Sequence, residues 1–162
     1  MSDTSVIPGP HTVRNLFEDL LGRDVNVSPG DPLAQADLAT ATVAIYTDAA
    51  QQIYGVLGMQ LSLAANVGAA LGLLSAGAAE DSIDEKKLFP NLAENVGELC
   101  NVLTSLLNKE GGPHIKLYQV VYPGDPLAAD ARAHLMALGR RVDLMVEVKK
   151  YGKGKLSLSL AP

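Results

Sequence analysis

Tryptophan is absent from this chain of 162 residues, and Phe and Tyr bring the aromatic share to only 4%. Proteins that hold single-stranded nucleic acid use aromatic side chains as stacking platforms, so the composition disfavours that partner. A surplus of basic residues is missing too: 13 Lys+Arg stand against 18 Asp+Glu, for a net charge of -5. Phosphate-backbone binding needs the opposite balance, which argues against nucleic acid as the main partner. Cysteine occurs once, as Cys100. That excludes an internal disulfide and fits a reducing compartment. Charge of either sign is missing from residues 49–79, a run of 31. What is present is ordinary: 48% hydrophobic residues can bury a core, and the length suits one domain.

The uncharged run is long enough for a membrane span, which needs about 20 apolar residues. It also holds Gly68-x-x-x-Gly72, the spacing that lets membrane helices approach closely. Against that reading, the run is rich in Ala and Gly and contains Gln60, Asn66 and Ser75. Its flanks are Asp48 and Glu80-Asp81, without a Lys or Arg anchor. Its first part carries strand character, and only from Leu61 does the period become helical. A buried strand followed by a small-residue helix is therefore expected, with no membrane span.

Met1–Pro10 has neither a basic nor an apolar signal region and is expected to be loose; residues 11–162 read as one domain. A cytoplasmic location is expected. Val13, Leu16, Phe17, Leu20 and Leu21 form a helical stripe, with Thr12 as N-cap and Gly22 as terminator. Short strands are expected at 24–27, 39–47 and 52–59, then the Ala/Gly helix with Leu63, Val67, Leu71 and Leu74 on one stripe. Ser82-Ile83-Asp84-Glu85 has capping-box form, and Pro90 suits the first position of a helix over 90–109. A strand at 114–122, a helix at 128–138 and a closing hairpin turning at Tyr151–Gly154 complete the pattern. The expected class is α+β, a mostly antiparallel sheet with long helices packed on one face.

Most chemistry-bearing motifs are missing. His11, His114 and His134 are scattered without metal-ligand spacing, so no metal site is expected. There is no phosphate loop, no dinucleotide fingerprint and no Gly-x-Ser-x-Gly elbow. Cys100, between core positions of a helix, reads as a small core residue. The basic stretch Lys149–Lys155 reads as a soluble hairpin tip. What stands out is the helix at 90–109. Glu94, Glu98, Asn101, Ser105 and Asn108 step by four and three along one face. Any amphipathic surface helix shows such a stripe. Glu98 and Asn101, however, are neighbours without a cation on that face, and Asn is a mediocre helix former. A carboxylate beside a carboxamide can grip a partner's cation and orient a water.

The stretch Glu94-Asn95-Val96-Gly97-Glu98-Leu99-Cys100-Asn101 resembles the active helix of the CheC/CheX chemotaxis phosphatases. Their pattern is Asp or Ser, Glu four residues on, Asn three further, and a Pro about two dozen residues downstream. Glu98 and Asn101 fit the central pair. Glu94 stands where Asp or Ser is usual, and Pro123 comes one residue early. The order of elements is similar along nearly the whole chain. With a single Glu-x-x-Asn, the resemblance is closer to CheX, with one site per subunit of a homodimer. It implies hydrolysis of the aspartyl-phosphate of a CheY-like receiver domain, the partner supplying Mg²⁺ and this chain binding no cofactor of its own. Glu98 would pair with the receiver's active-site Lys, and Asn101 would orient the attacking water. Glu94, Ser105 and Pro123 would be partner contacts. Because of the departures, a catalytically silent CheX-like dimerisation or interaction module stays open beside the enzyme.

Overall fold

The alternation of the strands decides which side of the sheet each residue joins. In β2 (Thr42–Thr47), Ala44 and Tyr46 enter one core while Val43 and Ile45 enter another, so the strand is buried on both faces. The computed structural model describes residues 7–161. Six strands form one sheet: β1 (Val25–Pro29), β2, β3 (Ile53–Met59), β4 (Lys116–Val121), β5 (Arg141–Val148) and β6 (Gly152–Leu160), in the order β1-β5-β6-β3-β2-β4. Every neighbouring pair is antiparallel. This is the expected α+β class.

The larger core lies between one sheet face and α1 (Pro10–Leu21), α2 (Leu61–Leu71) and α4 (Pro90–Val102). Phe17, Leu57, Met59, Leu63, Leu99, Leu144 and Leu156 are fully buried in it. The uncharged run forms β3 and α2 of this core and then the first residues of α3 (Ala76–Asp84), which packs beside α2 and α4 through Ala65, Ala69, Ala79 and Leu92. No helix of the described residues is long and apolar enough to cross a membrane.

Small residues set the spacing of these layers. Gly68 of α2 lies against the backbone of Leu92 in α4, where a methyl would stand 2.8 Å from its carbonyl oxygen. Gly154 of β6 lies directly beneath α2, where a methyl would stand 2.5 Å from the Leu63 nitrogen.

The second face is where expectation and structure part. Helices were expected on one face only, yet α5 (Ala129–Met136) covers the other, burying Ala131 and Leu135 with Val43, Ile45 and Val56. Ser157 and Ser159, on the polar side of β6, are buried rather than solvated. Ser157 pays its desolvation with two hydrogen bonds: its hydroxyl donates to Asp143 at 2.7 Å and accepts from the Leu33 N–H at 3.2 Å. Arg141 grips both Asp143 oxygens, at 2.8 and 2.9 Å. It also donates to the carbonyls of Leu135 and Ala137, satisfying the end of α5.

Burial pushes the Asp143 carboxyl up, but hydrogen bonds from Arg141 and Ser157 and the Arg141 charge outweigh it and hold the group below its ordinary range. Asp143 thus adds stability above its unfolded pKa, and loses it as pH falls through its lower folded value. Asp143→Asn is expected to cost about 1–3 kcal/mol at neutral pH. The deficit shrinks in acid, as pH falls from the unfolded carboxylate range through the lowered folded value. Urea midpoints at neutral and at acid pH check this, and a deficit of the same size at both would refute it.

Several boundaries also differ. The α1 cap is Gly9 with Pro10 at the first turn, not Thr12. Ser82 does not open a helix: α3 is already running from Ser75, whose hydroxyl accepts from the Ala78 N–H. The Ser82 hydroxyl closes the following turn instead, donating to the Lys87 carbonyl and accepting from the Phe89 N–H. The last hairpin turns at Lys149–Tyr151, with Lys150 at φ 72, so Gly152 and Gly154 belong to β6. Residues 1–6 of the expected loose N-terminus lie outside the described residues; Ile7 packs against the larger core.

Candidate functional site

Pro90 at the first position of α4 gives up an N–H that the helix would not use there, and fixes the start of the helix. From it Leu92, Val96, Leu99 and Cys100 turn inward. The opposite side carries Glu94, Glu98 and Asn101, all exposed. Three residues of helix leave Asn101 about 60° round from Glu98, with roughly 5–6 Å between their Cβ atoms. None of the three makes a side-chain hydrogen bond or ion pair with a described residue, and α4 contains no Lys or Arg. Glu94 and Glu98 are like charges one turn apart, an arrangement that weakens a helix slightly. A carboxylate pair left so is suited to an outside cation.

Three contacts hold the helix at this angle. Beneath it, the Tyr46 hydroxyl of β2 donates to the Cys100 carbonyl at 2.7 Å. Burial, then the neighbouring Cys100, raises the Tyr46 pKa, so the phenol remains a donor. On the α2 side, Asn95 Nδ2 donates to the Gly68 carbonyl at 2.9 Å. On the β4 side, Tyr122 lays its hydroxyl against Gly97, where a methyl would overlap it. Burial first, then Cys100 and Asp125, raise the Tyr122 pKa. None of these three contacts was anticipated from the sequence. Gly97 inside a helix was the available signal, since an interior Gly costs about 1 kcal/mol and is kept where something comes close.

Of the residues expected at the site, Glu98, Asn101 and Glu94 share one exposed face of α4. Pro123 is joined to that face through Tyr122, the residue before it, and is partly buried. Ser105 is exposed but lies past the end of α4, in a 3-10 turn over Leu103–Leu106. The tighter winding there carries it off the straight stripe. Asn108 leaves the stripe altogether: its amide donates to the Ile115 carbonyl and accepts from the Ile115 N–H, both at 2.7 Å, clamping the turn before β4. Cys100 is buried, and burial pushes its thiol up to about 12, which fits an inert core residue. Among the described residues, no three His, Cys, Asp or Glu side chains are grouped to hold a metal ion.

Neither a protein-family model nor a curated protein matches the sequence. Solved structures are similar in shape. The FliM middle domain of Vibrio alginolyticus is 10% identical over 93% of this chain and 87% of its own, with a TM-score of 0.58. A chemotactic CheC-like protein from Shewanella oneidensis MR-1 is 14% identical over 96% of this chain and 97% of its own, at 0.55. This chain has the CheC-like fold. FliM from H. pylori, in a FliG–FliM complex, shares the CheC-like architecture at 8% identity, 93% and 85% coverage and a TM-score of 0.55. These identities speak to the fold alone. In the CheC-like framework of this chain, α4 is the helix whose outer face carries Glu98 and Asn101.

Proposed function

We propose that this chain is a CheX-like phosphatase that hydrolyses the aspartyl-phosphate of a response-regulator receiver domain in chemotaxis or two-component signalling. One observation carries the reading: Glu98 and Asn101 project side by side from α4, without partners among the described residues, on a helix fixed from below and from both sides. An exposed acidic and carboxamide pair on a rigid support suits insertion into another protein's active site better than a pocket chemistry of its own. Glu98 pairs with the receiver's Lys and sets the register. Asn101 positions a water in line with the phosphorus. The bond from water oxygen to phosphorus forms as the bond to the aspartyl carboxylate breaks, and the water proton leaves with the phosphate. The Mg²⁺ that stabilises the phosphoryl group belongs to the receiver. The working form is a cytoplasmic homodimer with one site per subunit.

The test is direct. Receiver domains from the same genome, phosphorylated with a small phosphodonor, are incubated with the chain and their phosphate lifetime is followed. A shortened lifetime supports the reading; unchanged lifetimes across the receivers overturn it. A second reading is a non-catalytic interaction module, favoured by Glu94 in the place of Asp or Ser and by the FliM domain of this fold solved in complex with FliG. It predicts capture of a receiver whose phosphate lifetime does not change.

A further inference from the structure

We propose that Tyr122 is a positioning residue of this site: when a receiver docks, Asn101 Nδ2 turns to donate a hydrogen bond to the Tyr122 hydroxyl, so that Oδ1 faces the attacking water. The inference rests on the phosphatase reading and adds a residue to it. Tyr122 follows β4 directly, and its hydroxyl lies over Gly97. A methyl on Gly97 would meet the Tyr122 oxygen and the ring carbon that bears it, and no other group. The helix therefore gives up an alanine's propensity, about 1 kcal/mol, to admit a hydroxyl and not a whole ring.

Asn101 is one turn beyond Gly97 and about 40° round the helix from it. Helical side chains lean toward the N-terminus, so a rotamer of Asn101 is available that carries its carboxamide back toward the level of Gly97. That is where the Tyr122 oxygen sits. The hydroxyl makes no hydrogen bond with a described residue, and neither does the Asn101 side chain. A carboxamide that swings freely presents either end to water. One whose Nδ2 is held presents Oδ1, which accepts a water proton and leaves a lone pair aimed at phosphorus.

The experiment compares wild type, Tyr122→Phe, Gly97→Ala, Asn101→Ala and the double variant Tyr122→Phe/Asn101→Ala on phosphorylated receiver. Tyr122→Phe keeps the ring, and thermal midpoints verify that each variant is folded. The expected result is a kcat about tenfold lower, the worth of one lost hydrogen bond, with KM within about twofold of wild type. Gly97→Ala, which displaces the hydroxyl, is expected to lower kcat similarly. On the Asn101→Ala background, Tyr122→Phe is expected to change nothing further, because the two act as one unit. Wild-type kcat in Tyr122→Phe beside an inactive Asn101→Ala overturns this inference and leaves the phosphatase reading standing. A loss that appears in KM overturns it as well. A wild-type chain that leaves phosphate lifetime unchanged overturns both.

Discussion

Asn101→Ala is expected to leave the fold intact and return the receiver's phosphate lifetime to its uncatalysed value. Asn101 is exposed and bonds to no described residue, so its removal opens no cavity and strands no buried partner. Ala is also the better helix former, and the thermal midpoint should hold or rise slightly. Catalysis by orienting a water is a positional effect, and deleting the positioning group costs roughly a hundredfold or more. The loss belongs in kcat, since the carboxamide's work is done in the transition state. Glu98→Lys separates the second role. On the phosphatase reading, a cation there is expected to repel the receiver's Lys and raise KM strongly, with circular dichroism unchanged. If Asn101→Ala keeps more than about a third of the wild-type acceleration, water positioning by this residue is ruled out.

The alternation of β2, β5 and β6 and the stripes of α1, α2 and α4 were legible because each element buries a face wide enough to leave a period. The second layer was not. In α5 Ala129 and Ala133 share the exposed side while Ala131 lies on the buried one, so small apolar residues mark both and no stripe singles out the face that covers β3 and β6. Ser82 misled for a different reason: a Ser-x-x-Glu string is local, while the start of α3 is settled by Ser75, whose hydroxyl reaches the Ala78 N–H. At the site, Glu98 and Asn101 were readable because helical spacing is a local property. Tyr46, Gly68 and Tyr122 meet α4 across long separations in sequence, and such contacts leave no periodic trace.

The packing of the uncharged run yields the largest expected stability effect. Gly68→Val is expected to destabilise the fold by about 3 kcal/mol or more, read as a lower urea midpoint at unchanged slope. A methyl at Gly68 already stands 2.8 Å from the Leu92 carbonyl oxygen and 3.2 Å from its Cα. These are backbone atoms of α4, so no side-chain rotation relieves the overlap and the helices must part. Parting them also breaks the bond from Asn95 Nδ2 to the Gly68 carbonyl, adding about 1 kcal/mol. Gly77→Ala is the control. In α3 an added methyl meets only the Ser75 hydroxyl oxygen at 3.5 Å, ordinary contact, and the change is expected to be neutral or to stabilise by about 0.5 kcal/mol. A loss below about 1 kcal/mol in Gly68→Val would show that α2 and α4 are not locked by backbone approach. The two glycines also separate stability from function. On the phosphatase reading, Gly68→Val, by tilting the helix that carries Glu98 and Asn101, is expected to cost the surviving folded fraction its receiver dephosphorylation, whereas Gly77→Ala is expected to keep it. Absence of charge in residues 49–79 thus places a helix: only small, uncharged side chains let α4 lie close enough to α2 for Asn95 to hold it.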